Sequence, residues 1–127
     1  MKKILVVDDD GLSLKLVRDL LEIRGYDLIT GSDGTEGIKL AISEKPDLLL
    51  IDNQMPSKTG LDVTRDLRKM PDMREIRIII MSASTMKEEV QSYMDAGCDD
   101  FVAKPIMLND LLTKVSRVLG EEFEGRE

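Results

Sequence analysis

Histidine and tryptophan are absent from this 127-residue chain, and cysteine occurs once. Without histidine the chain cannot itself be a histidine kinase, a histidine-dependent hydrolase or a histidine-ligated metal enzyme. The lone thiol, Cys98, cannot form an internal disulfide, so nothing points to an oxidising compartment and a cytoplasmic location is expected. Aromatic residues make up only 3% of the chain, and Tyr26, Tyr93, Phe101 and Phe123 are too scattered to build a stacking platform for single-stranded nucleic acid. Positive charge is in the minority. Lys and Arg total 18 against 25 Asp and Glu, a net charge of -7 that repels a phosphate backbone, so no nucleic-acid partner is expected. No apolar run approaches the roughly 20 residues a membrane span needs, so no membrane association is expected either. The opening segment has the two lysines of a signal peptide, but the run Ile4 to Val7 is too short for an apolar leader region and stops at three aspartates. It reads as a strand.

What remains is a chain of one-domain size, able to bury about two-thirds of its unfolded surface without disulfides or a structural metal. Apolar runs at Ile4 to Val7, Leu48 to Ile51 and Ile78 to Met81, with a shorter one at Phe101-Val102, suit strands buried on both faces. Leu28-Ile29, after the helix stop Gly25, reads as an edge strand. Helical spacing appears between them: Leu16, Val17, Leu20 and Leu21; Ile38, Ala41 and Ile42; Val63, Leu67 and Met70; Met86, Val90 and Met94; and, most regularly, Leu108, Leu111, Leu112, Val115, Val118 and Leu119 before the stop Gly120. Strand and helix alternate five times, which predicts an α/β fold with a parallel sheet covered by helices on both faces. The domain is expected over residues 1–120, with 121–127 a short, acidic, frayed tail.

Polar residues gather where the strands end. Asp8, Asp9 and Asp10 follow the first run, Asp52 the third, Ser82 the fourth and Lys104 the fifth. In a parallel sheet with right-handed crossovers these ends share one edge, where ligands of open α/β sheets bind. Carboxylates crowded there repel: two unit charges about 4 Å apart at an effective dielectric near 20 cost roughly 4 kcal/mol. A divalent cation would offset that, and an all-oxygen ligand set without histidine or thiolate selects a hard ion such as Mg²⁺. Asp8, Asp9 and Asp52 are too few for a closed cage. That suits Mg²⁺, which keeps waters and takes a phosphate oxygen, while Lys104 and the Ser82 hydroxyl complete a site for a dianion.

The ordered set ILVVDDD, PDLLLIDNQMP with Gly60 four residues after Pro56, IIIMSAS and AGCDDFVAKP resembles the response-regulator receiver domain of two-component signalling, over essentially the whole chain. The resemblance implies a flavodoxin-like (βα)5 fold of strand order 2-1-3-4-5; a chemotaxis receiver is itself a standard example of that order. It implies a stand-alone response regulator of a phosphorelay, with Asp52 as phosphoacceptor from a phosphohistidine on a histidine kinase or phosphotransfer protein. By position, Asp9 and Asp52 would hold Mg²⁺ through side chains, Gln54 through its backbone carbonyl and Asp8 through water. Ser82 takes the switch position, Lys104 the phosphate-binding position, and Phe101 that of an aromatic that turns inward as Ser82 moves. A cis Lys104-Pro105 bond is implied, and Gln54 and Ser84 occupy positions that tune hydrolysis of the acyl phosphate. The downstream protein target would bind the face made by the fourth helix, fifth strand and fifth helix, and the chain would be a monomer or a phosphorylation-dependent dimer. Asn53, polar where the family is usually apolar, and Thr59, where an aspartate commonly precedes the glycine, depart from the pattern without removing a catalytic group.

Two other readings compete: a constitutive interaction module that signals without phosphorylation, and a Mg²⁺-dependent phosphatase acting through an aspartyl phosphate. The phosphatase lacks a proton carrier, since Gln54 stands where its second aspartate would be. The receiver reading makes the chain a signalling protein that catalyses only its own phosphorylation and dephosphorylation. Among lesser signals, Asp33 with Glu36 reads as a capping box rather than part of a phosphate loop. Cys98 reads as a small buried filler, and Met86 and Met94 read as core, with an adaptable partner surface as the second possibility.

Overall fold

The computed structural model describes residues 1–121, so residues 122–127 of the expected acidic tail lie outside the described residues. Glu121 is tied down: its Oε1 accepts the Tyr26 hydroxyl proton at 2.7 Å and its backbone N–H donates to Ser116 O.

Five strands and five helices alternate: β1 (Lys3–Val7), α1 (Gly11–Ile23), β2 (Asp27–Gly31), α2 (Gly34–Glu44), β3 (Leu48–Asp52), α3 (Gly60–Arg68), β4 (Arg77–Ser82), α4 (Lys87–Ala96), β5 (Asp100–Ala103) and α5 (Leu108–Leu119), with a 3-10 turn at Pro71–Met73. All pairings are parallel and the order is β2-β1-β3-β4-β5, the flavodoxin-like order that the resemblance implies. Strands β1, β3 and β4 read as unbroken apolar runs because helices cover both of their faces. One face packs Leu5, Val7, Leu49, Ile51, Ile78 and Ile80 against α2, α3 and Tyr93 of α4. The other packs Ile4, Val6, Leu48, Leu50, Ile79 and Met81 against α1 and α5.

The helix stripes run as spaced, with corrections at their edges. Leu16, Ile42 and Leu108 lie outward, each beside a buried neighbour of the same helix. The core reading of Met86 and Met94 is overturned: both are exposed, and α4 buries only Tyr93. Met86 is the extended N-cap residue before the first turn, and Tyr93, next to Met94 in sequence, takes the one deep position of the helix. The capping box expected at Asp33 and Glu36 is half formed. Asp33 accepts the Glu36 N–H at 2.8 Å, but Glu36 Oε1 accepts from Ser32 N at 2.7 Å instead of reaching back to Asp33 N. A complete box forms at Thr59 and Asp62, at the start of α3. Cys98 is buried, as expected, and burial first, with Asp99 and Asp100 adding, pushes its thiol up to about 12.

Candidate functional site

Parallel pairing fixes where the polar residues meet. Val7 pairs with Gly31 and Ile51, Asp52 with Met81, and Ser82 with Ala103, so the residues that follow β1, β3, β4 and β5 emerge at one end of the sheet. Two close approaches hold that end in shape. A Cβ on Gly60 would lie 2.9 Å from the backbone oxygen of Asp52, and one on Gly34 would lie 2.7 Å from Lys58 O. Both glycines let a helix begin against the loop that follows the phosphoacceptor candidate.

Within the cluster Asp8 and Asp52 are buried and Asp9 is exposed, and carboxylate oxygens of the three lie within 4.8 Å of one another. Lys104 Nζ bridges the buried pair, donating to Asp8 Oδ2 at 2.9 Å and standing 2.7 Å from Asp52 Oδ1. That second contact is an ion pair without hydrogen-bond alignment, so Asp52 Oδ1 is buried with no hydrogen-bond partner. Asp52 Oδ2 accepts the Gln54 N–H at 3.0 Å, and Asp8 Oδ1 accepts the Asp10 N–H at 3.0 Å. Burial pushes the Asp52 carboxyl above its ordinary range and the Asp8 charge adds to this, against the pull of Lys104 and Gln54 N. On the Lys104 ammonium, burial acts downward, but Asp52 and Asp8 together outweigh it and hold the group above its usual value.

Three carboxylates against one ammonium leave two negative charges uncompensated. The donors are all oxygen, and the buried Asp52 Oδ1 has its ion pair with Lys104 but no hydrogen bond, so the residues fit a hard divalent cation. Asp8, Asp9 and Asp52 are placed to hold it, with Gln54 next to them in the loop after β3. When bound, Mg²⁺ would supply charge neutralisation for an incoming phosphoryl oxygen.

Ser82 is fully buried at the end of β4, and the Lys104 N–H donates to its backbone oxygen at 2.9 Å, which joins the switch and lysine candidates through the backbone. The Lys104-Pro105 bond is cis. Ser84 donates its backbone N–H to Ser82 Oγ at 3.0 Å and its hydroxyl to Glu89. Phe101 is half-buried, with Lys114 Nζ 4.6 Å above its ring and donating to its backbone oxygen at 2.8 Å.

Sequence reasoning missed the partnership of Asn53 and Tyr93. The Tyr93 hydroxyl donates to Ser82 Oγ at 2.8 Å and stands 3.5 Å from Asn53 Nδ2, while Asn53 Oδ1 accepts the Leu61 N–H at 2.9 Å. The available signal was Asn53 itself, a polar residue directly after a buried strand, which needs buried partners.

Against known proteins, the family model of the response regulator receiver domain matches residues 4–116. The polar-differentiation response regulator DivK of Brucella anthropi is 35% identical over 120 residues, covering 94% of this chain and 98% of that protein. Among solved structures, the chemotaxis protein CheY4 of Vibrio cholerae superposes with a TM-score of 0.88 at 28% identity, over 93% of this chain and 98% of that one. The receiver domain of the sensor histidine kinase PA1611 from Pseudomonas aeruginosa, whose structure has a magnesium ion coordinated in the active site cleft, gives 0.86 at 26% identity, over 94% and 98%.

Proposed function

The chain belongs to the response regulator receiver domain family of two-component signalling, and on that premise we propose that it is a response regulator receiver phosphorylated on Asp52. The observation that carries this reading is the Asp52 carboxylate itself: buried, flanked by Asp8 and Asp9, and held 2.7 Å from Lys104 Nζ. A phosphohistidine on a histidine kinase or phosphotransfer protein is the donor. The Asp52 carboxylate attacks phosphorus in line; an O–P bond forms, the N–P bond breaks, and its electron pair returns to the donor imidazole. The step needs positioning and charge neutralisation more than a strong base; Lys104 supplies one positive charge, and Mg²⁺ held by Asp8, Asp9 and Asp52 would supply the rest. Ser82 then meets the new phosphoryl oxygens, Phe101 follows it inward, and Gln54 and Ser84 set how long the acyl phosphate lasts.

The output face is the edge formed by α4, β5 and α5. β5 ends the sheet, α4 packs on one face and α5 on the other, and Met94 of α4, Met86 at its N-cap, and Met107 and Leu108 at the start of α5 are exposed. Methionines suit a surface that must adapt to a protein partner. Among the described residues no helix is long and apolar enough to cross a membrane. Residues 1–120 form the receiver unit on this reading.

Intact mass after incubation with acetyl phosphate tests the proposal. One added phosphoryl group is expected with Mg²⁺, none after chelation and none in Asp52→Asn. Equal labelling of Asp52→Asn would move the phosphoacceptor elsewhere.

A further inference from the structure

We infer that the Tyr93 hydroxyl is a latch: it holds the Ser82 hydroxyl in its unphosphorylated position and makes α4 respond directly to what occupies Asp52. The inference rests on the receiver reading above and adds to it a positioning residue. Tyr93 is α4's one buried residue, and its ring packs in the core with Val63, Leu67, Ile80 and Cys98. The rest of the helix is weakly held, since Met86 at its N-cap makes no side-chain capping bond. The depth of α4 therefore depends on this ring and on where its hydroxyl bonds.

That hydroxyl donates to Ser82 Oγ at 2.8 Å, and Ser84 N donates to the same oxygen at 3.0 Å. A serine oxygen has two acceptor sites, so both are taken. Behind Tyr93, Asn53 Nδ2 stands 3.5 Å from its oxygen, and Asn53 is itself pinned by the Leu61 N–H on its Oδ1 and by its own N–H on Met81 O. Asn53 follows Asp52 directly, so the chain of contacts Asn53, Tyr93, Ser82 runs from the phosphoacceptor's neighbour into α4 and back to the switch. Asp52 Oδ1 has no hydrogen-bond partner, so Ser82 is not engaged with it in this state.

When Ser82 turns toward a phosphoryl group it gives up its place under Tyr93. A buried tyrosine O–H without an acceptor is costly, and Asn53 Nδ2 offers it only a donor. The ring must then shift to find a new acceptor, and α4 shifts with it. Occupation of Asp52 is opposed by the latch and reported by the helix. Removing the hydroxyl should ease occupation and silence the report.

The chain has two tyrosines, Tyr26 and Tyr93, so protein carrying carbon-13 at the tyrosine ζ position gives two signals, assigned with Tyr93→Phe. Beryllium fluoride with Mg²⁺ is the probe. The Tyr93 signal is expected to move on binding while Tyr26, bonded to Glu121, stays. Ser82→Ala should move the Tyr93 signal with no ligand added. Tyr93→Phe should bind the probe about fivefold more tightly, the worth of roughly one net hydrogen bond, with the Mg²⁺ requirement kept. A loosened or partly unfolded variant would bind more weakly, so tighter binding is not a generic effect of damage. Binding with an unmoved Tyr93 signal, or a Tyr93→Phe affinity equal to or below the parent's, overturns the latch and leaves the receiver reading standing. No Mg²⁺-dependent binding by the parent overturns both.

Discussion

At the scale of single residues, the site trades stability for chemistry. Asp52 is buried beside Asp8 with one lysine between them, and burial raises its carboxyl above the value of about 3.8 that it has when unfolded. Because the folded carboxyl is the weaker acid, the fold is favoured while Asp52 is protonated. That contribution is full below the unfolded value and lost as pH rises through the folded one. Asp52→Asn, which keeps the shape and leaves Lys104 neutralising Asp8, should therefore melt at a higher temperature than the parent at pH 7 in chelator, with the gap closing below about pH 4. A thermal melt series across pH checks it, and a lower midpoint for Asp52→Asn at pH 7 would contradict the account. Cys98 makes the opposite point. Its thiol is pushed from 9.0 up to about 12, chiefly by burial, so at pH 8 its thiolate fraction is about a thousandfold below that of a free thiol. Iodoacetamide should leave it unmodified in the native protein and modify it rapidly in denaturant, as peptide mass mapping would read.

At the scale of elements, two residues hold helices against the site end and the far end of the sheet. Arg68, the last residue of α3, donates from Nε to Gly97 O at 2.9 Å and from Nη1 to Ile76 O at 2.7 Å and Arg74 O at 3.1 Å, and pairs with Asp99 at 3.3 Å. One side chain thus satisfies the turns before β4 and β5. Arg68→Ala would leave partly buried carbonyls unpaired and should cost about 2–3 kcal/mol in a urea titration, against a few tenths for an exposed arginine. Gly60 begins α3 against the Asp52 backbone, where a Cβ would meet oxygen at 2.9 Å; Gly11 begins α1 with nothing within 4 Å of its would-be Cβ. Gly60→Ala should cost about 1–3 kcal/mol and lower acetyl-phosphate labelling, because the backbone that must yield carries Asp52, the proposed phosphoacceptor. Gly11→Ala should be neutral or stabilising by up to about 1 kcal/mol.

At the scale of the whole molecule, a net charge of -7 and three clustered carboxylates make cation binding and stability one problem. Binding only to the folded chain adds RT ln(1 + [L]/Kd), about 1.4 kcal/mol at ten times Kd. The melting midpoint should rise with Mg²⁺ and fall back on chelation, and the rise should shrink in Asp9→Asn, whose carboxylate is the exposed member of the cluster. An equal rise in both proteins would place the ion elsewhere. The helices divide unevenly around the sheet. α5 buries five residues and α4 one, so α4 is the element the fold can most cheaply move.

The sequence by itself determined the alternation of strands and helices, because strands buried on both faces must be written as apolar runs and covering helices as stripes. It also placed the candidates at one edge: Asp8, Asp9, Asp52, Ser82 and Lys104 each close a strand, and parallel topology leaves strand ends nowhere else to go. Periodicity could not orient α4. Met86, Val90 and Met94 form a stripe that Tyr93, three residues after Val90, also fits, and which of them goes deep is decided only when the helix meets α3 and the sheet. Nor could one strand's sequence reveal that Lys104 bridges Asp8 and Asp52, or that the Tyr93 hydroxyl links Asn53 to the Ser82 hydroxyl. Hydrogen bonds between residues 11 and 40 positions apart depend on register and helix rotation to within a fraction of an ångström, and only the packed tertiary structure sets those.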